Sequence, residues 1–111
     1  NSAIDMLSRL ETMVLMSGLD LPLNSIRKHI ASAVEIIIHI GKVMDGKRRV
    51  IQITEVLGAN NDGYITHDLF EFKKSDDEDG DTGLLKYTGE TMQRLNKFRF
   101  SGVIPPNFDY I

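Results

Sequence analysis

The sequence predicts an α+β fold, with two N-terminal helices followed by a mainly antiparallel sheet of hairpins. Three observations carry this prediction. Apolar residues recur at helical spacing through the first third of the chain. From Val34 onward the pattern changes to β-branched runs. Asp45-Gly46 and Asn61-Asp62-Gly63 divide those runs, and each is a tight-turn signal between strands.

The first helix is expected over residues 3–17. Asn1 or Ser2 can accept the free amides of its first turn, Ile4, Leu7, Leu10, Val14 and Leu15 form its apolar stripe, and Gly18 supplies a left-handed stop. If that stripe is core, Leu10→Ala costs roughly 2–4 kcal/mol. A second helix is expected over residues 23–33, opened by Pro22 or capped by Asn24 or Ser25. Ile26, Ile30 and Ala33 form its stripe, and Arg27, Lys28 and Ser32 its polar face. Residues 34–73 form the β region. Ile36-Ile37-Ile38 with Ile40 suits a strand covered on both faces, and residues 34–57 read as an antiparallel hairpin. Short strands follow at Tyr64–Thr66 and Leu69–Lys73. Residues 75–83 carry acids and glycines with no apolar side chain, the pattern of a mobile surface loop. Residues 84–111 hold a C-terminal strand at Phe98-Arg99-Phe100 and a tail in which Pro105-Pro106 blocks further pairing.

A chain of 111 residues buries roughly two-thirds of the surface its unfolded form exposes, enough for one core. An apolar content of 41% and a charged content of 26% are those of an ordinary globular chain. The net charge of -3 lacks the basic footprint of a nucleic-acid binder. With no Cys, disulfides, thiolate zinc sites and cysteine nucleophiles are excluded. No run of apolar residues is long enough to span a bilayer, and the start carries no signal-peptide pattern. The chain opens at Asn1-Ser2 without a methionine and with a helix starting at once, which suggests an excised piece.

Several motifs bear on chemistry. Asn60 to Thr66 resembles the middle of an EF-hand loop, but Gly58 and Leu69 fall where calcium needs its first oxygen and its bidentate Glu, so a hairpin turn is expected instead. The acids Asp76, Asp77, Glu78, Asp79 and Asp81 read as solvated surface. His29, His39 and His67 share no ligand-pair spacing, and no metal or cofactor site is expected in this chain. A phosphate-binding P-loop needs glycines to free backbone amides, with a Lys and a Ser or Thr at its end. No such run occurs, and Asp45-Gly46-Lys47 is too short to imitate one, so the chain by itself has no means of binding ATP in that way.

The run Ser8-Arg9-Leu10-Glu11-Thr12-Met13-Val14-Leu15-Met16, followed by Leu21-Pro22-Leu23 and Ile30-Ala31-Ser32-Ala33-Val34, resembles the hexameric type II/IV secretion ATPases. It is most similar to the subfamily that assembles Flp or tight-adherence pili, in which a matching helix follows a histidine box ending H-A-N-S. The similarity continues through Asp45-Gly46, Arg48-Arg49-Val50, Thr54-Glu55-Val56 and Asp68 to Phe72, and returns weakly at Lys97 to Phe100 with Gly102 and Pro105. It covers residues 1–73 well, and departs from the family over residues 76–96.

This resemblance implies the C-terminal segment of a RecA-like P-loop ATPase domain. It implies ATP and Mg in the parent protein, none in this fragment, and a fragment inactive alone. The implied partners are the upstream part of the same ATPase, other protomers of a homo-hexamer and inner-membrane platform proteins. The implied location is cytoplasmic, peripheral to the inner membrane. Asn1 and Ser2 match the end of the histidine box, whose histidine is missing, so no catalytic residue is assigned. Arg9 is the candidate for contact with a nucleotide phosphate or a neighbouring protomer, although a surface or intrachain salt bridge is the commoner role for such an arginine, and Arg48 and Arg49 are candidates for an intersubunit contact, although charged residues flanking turns are common on exposed hairpins. The alternative reading is a free-standing α+β interaction module without enzymatic activity.

Overall fold

The computed structural model describes residues 2–43, 45–74 and 83–102. In chain order they form α1 (Ala3–Met16), α2 (Leu23–Ala33), β1 (Ile36–Lys42), β2 (Arg48–Asn60), β3 (Gly63–Lys74), β4 (Gly83–Tyr87) and α3 (Asn96–Ser101). The strands make one antiparallel sheet in the order β1-β2-β3-β4, each beside its neighbour in sequence. The α+β reading therefore holds, with two helices ahead of an antiparallel sheet.

Local chemistry sets the helix ends. Ser2 Oγ accepts the Asp5 amide and the Asp5 carboxylate accepts the Ser2 amide, each at 3.2 Å, a reciprocal cap on α1. The Ser2 amide is the largest cause holding the Asp5 carboxyl below its ordinary pKa. Past α1, Gly18 takes φ +84°, the left-handed conformation that a Cβ disfavours. α2 begins from the Pro22 carbonyl, which accepts the amides of Ser25 and Ile26; Asn24 is not its cap but donates across to Asn61 at 2.7 Å.

Leu7, Ile26, Ile30, Ala31 and Val56 form the core, with Val14, Val34, Ile37, Ala59 and Tyr64 packed against it. The helices thus cover one face of the sheet. α1 turns Ala3, Leu7 and Glu11 inward. Leu10 is a correction to the expected stripe, since it is 37% exposed while Leu7 is 0% exposed. In α2 the inward residue beside Ile30 is Ala31, and Ala33 is exposed.

Three further expectations are corrected. β1 is covered on one face only: Ile37 packs on the core while Ile38 and Ile40 are 56% and 55% exposed. β3 is one continuous strand where two short ones were expected, because Leu69 is an extra residue between the pairs Thr54/Asp68 and Ile53/Phe70 and so interrupts the alternation. Phe98 to Phe100 lies in α3 and not in a strand. Phe98 is half-buried and Phe100 is 92% exposed, whereas a strand would turn both to one face. Residues 75–82 and 103–111 fall outside the described residues, and Gly83, expected in the loop, already belongs to β4. No described helix is long and apolar enough to cross a membrane.

Candidate functional site, a buried carboxylate clamp

Glu55 lies in the run Thr54-Glu55-Val56, three successive buried residues of β2. Val56 packs on the helices, so alternation turns Glu55 to the other face of the sheet. A carboxylate there costs several kcal/mol to desolvate unless its lone pairs are matched. Glu55 is 0% exposed, and both its oxygens accept hydrogen bonds. Its Oε1 accepts His67 Nε2 at 2.6 Å and the Gln93 amide at 2.8 Å, and its Oε2 accepts the Arg94 amide at 3.0 Å. Burial pushes the Glu55 pKa up, but the two backbone amides and the His67 contact outweigh it, and the carboxyl sits below its ordinary value.

These bonds clamp the chain after β4 across the sheet. At its near end the Thr88 amide donates to Leu69 O at 2.9 Å and Thr88 Oγ1 donates to Asp68 O at 2.5 Å. At its far end the Arg94 guanidinium donates through Nη1 to Ala31 O and Val56 O at 3.1 Å, and through Nη2 to Ser32 O at 3.3 Å. Two of those acceptors are orphan carbonyls of the last turn of α2, so one side chain caps that helix and ties it to the clamp. Lys97 then reaches Glu35 at 3.2 Å.

A carboxylate and an imidazole in contact are two parts of a proton-relay arrangement, in which the second ring nitrogen faces the group it serves. Here His67 Nδ1 faces Glu90 Oε2 at 3.6 Å, a second carboxylate. The arrangement holds chain to sheet. Two smaller networks stand beside it. Asp68 accepts Thr54 Oγ1 at 2.6 Å and Gln52 Nε2 at 3.0 Å. On the helix side, the buried Glu11 accepts Arg27 Nε at 2.7 Å, and Arg27 Nη1 donates to Asn61 O at 3.1 Å. The Tyr64 hydroxyl is buried without a partner in bonding geometry, and burial together with the nearby Glu11 charge pushes its pKa up. Among the described residues no cluster of His, Asp and Glu suits a metal ion.

The residues singled out from sequence are not brought together. Asn1 is outside the described residues, and Ser2 is the cap of α1. Arg9 is exposed on α1, while its neighbour Glu11 is the buried partner of Arg27. Arg48 is exposed at the start of β2, and Arg49 is held by Asp45, with Nη2 at 2.6 Å. That contact, with the Lys47 amide second, keeps the Asp45 carboxyl below its ordinary pKa. Sequence reasoning missed Glu55, His67 and Arg94 as a group. The available signal was an acid inside the β-branched run from Val50 to Leu57, which cannot be buried without partners. The sequence matches no family model and no curated protein.

Proposed function

We propose that this chain is the C-terminal part of the motor domain of a hexameric ATPase that powers pilus assembly or type II/IV protein secretion, of the Flp or tight-adherence kind. The observation that carries this reading is the contiguous resemblance from Ser8 to Val34 and on to Phe72. The exposed apolar residues of α1 support it. Ile4 and Leu15 on one flank of the buried Leu7, Leu10 on the other, and Met13 and Met16 on the far side are 37–81% exposed. A helix apolar on more than one side is built to be covered on more than one side. In this reading the cover is the upstream, nucleotide-binding part of the same protein, which binds ATP and Mg. The present chain supplies packing and subunit contacts. In this reading the exposed Arg9 contacts a nucleotide phosphate or a neighbouring protomer, and Arg48 and Arg49 serve as subunit contacts. The assembled ring works at the cytoplasmic face of the inner membrane, through platform proteins that receive its motion.

Reading the gene upstream of Asn1 tests the assignment. A Walker A motif in the same frame within a few hundred residues supports it, and its absence overturns it in favour of a free-standing interaction module. Calorimetry adds a second check. The chain alone should show no magnesium-dependent ATP binding at micromolar affinity, because it has no glycine-rich phosphate cradle.

A further inference from the structure

The β1–β2 hairpin ends in a cluster of cations, Lys42, Lys47 and Arg48. Lys42 stands directly opposite Arg48 in the ladder, and Lys47 lies in the turn between them. Like charges directly opposite each other destabilise a strand pair. Asp45 is taken by Arg49. Among the described residues no carboxylate pairs with Lys42, Lys47 or Arg48. The same strand carries an apolar row. Residues Ile38, Ile40 and Lys42 alternate outward on one exposed face of β1. β1 is also an edge, since it pairs with β2 on one side and no described strand lies on the other.

We propose that the outer edge of β1 is a docking site for an extended acidic segment of a partner protein, which adds to the sheet as a further strand. Its backbone bonds the free edge, alternate apolar side chains lie beside Ile38 and Ile40, and carboxylates at one end meet Lys42, Arg48 and Lys47. Strand addition of this kind draws affinity from main-chain bonds and selectivity from alternate side chains. Charge complementarity favours this occupant over a second copy of the chain. In-register parallel pairing of two β1 strands would stack Lys42 on Lys42. Antiparallel pairing centred on His39 would set Lys42 against Ile36 and leave the cations unmatched. A lysine at a strand edge disfavours both of these self-pairings and suits an acidic partner.

The test is titration of the labelled chain with a short capped peptide that alternates Val and Thr and ends in two glutamates. A control peptide carries glutamines in their place. The glutamate peptide is expected to shift and protect the β1 amides at low salt, with binding weakened by added salt. The glutamine peptide should bind about tenfold more weakly or not at all. Lys42→Glu with Arg48→Glu should abolish binding of the glutamate peptide. Lys42→Gln with Arg48→Gln, which leaves the ladder uncharged, should weaken it as well and serves where charge reversal disturbs the hairpin. Equal binding of the two peptides, absence of binding, indifference to both double variants, or protection of β1 by self-association without peptide would each overturn the proposal.

Discussion

Two leucines one helical turn apart separate what is core from what only looks like core. Leu7 and Leu10 both fit the apolar period of α1, and period alone cannot rank them. Leu7 is fully buried against Ile26 and Val56, so Leu7→Ala should leave a cavity and cost about 2–5 kcal/mol. Leu10 keeps 37% of its surface in water, and Leu10→Ala in this chain should cost below about 1 kcal/mol, the range of surface changes. Urea midpoints of the two variants check the pair, and equal costs would contradict the packing described. Glu55 makes the opposite point, a polar residue that is core. Glu55→Ala strands the Gln93 and Arg94 amides and the His67 ring, and should cost about 2–4 kcal/mol. Glu55→Gln keeps an acceptor oxygen and should cost less.

At the level of elements, the helices and the first hairpin were legible because their signals are local. Caps, periodicity and a glycine stop place α1 within a residue of its observed end, and α2 falls where expected. The second hairpin was legible only in part. Counting back from the Asn61-Asp62 turn without interruption sets Glu55 opposite Asp68, carboxylate against carboxylate. An extra residue at Leu57 moves the register by one and brings His67 opposite Glu55; the extra residue at Leu69, on the other strand, restores the count. Bulges answer to such tertiary needs and leave no composition signal, so the site stayed hidden while the strands were visible. The segment after β4 has little regular structure and was read as tail, yet its backbone supplies two of the three donors to Glu55.

That segment gives two predictions. Arg94→Lys replaces a planar fork with a point charge, and cannot serve the Ala31, Ser32 and Val56 carbonyls together. It should speed amide exchange in the last turn of α2 and lower stability by about 1–3 kcal/mol. The second concerns acid. The folded pKa of Glu55 lies below its unfolded value, so the unfolded chain binds more protons in the interval between them. The stability due to the clamp is complete above the ordinary glutamate range of about 4.3–4.5 and is lost as pH falls through the folded value. Exchange at the Gln93 and Arg94 amides should accelerate over that range in the native chain, and should lose that dependence in Glu55→Gln. An unchanged profile in the variant would assign the acid response to another carboxylate.

For the molecule as a whole, α1 is the element whose attachment is least symmetrical. Ala3, Leu7 and Val14 reach the core, while Ile4 and Leu15 on one flank, Leu10 on the other, and Met13 and Met16 on the far side are exposed to water. Exposed apolar surface of this extent favours burial at about 25 cal/mol per Å², opposed by the entropy of association. The inner contact is intramolecular and α1 joins α2 through a short link, so the helix folds back on its own chain before it can recruit another. The chain should therefore scatter light as a monomer across a tenfold concentration range. Its α1 amides should be protected, though less than those of β2, which is paired on both sides. The exposed residues can be tested in two settings with one variant. Leu10→Glu with Met13→Glu places good helix formers at exposed positions and should leave the stability of this chain within about 1 kcal/mol of the parent sequence. If the proposed motor reading holds, the same pair in the larger protein would bury two charges against the upstream part, and should abolish ATP hydrolysis or ring assembly. A double variant that is neutral in both settings would show that nothing in the larger protein covers α1, and would remove the structural support for the proposed motor.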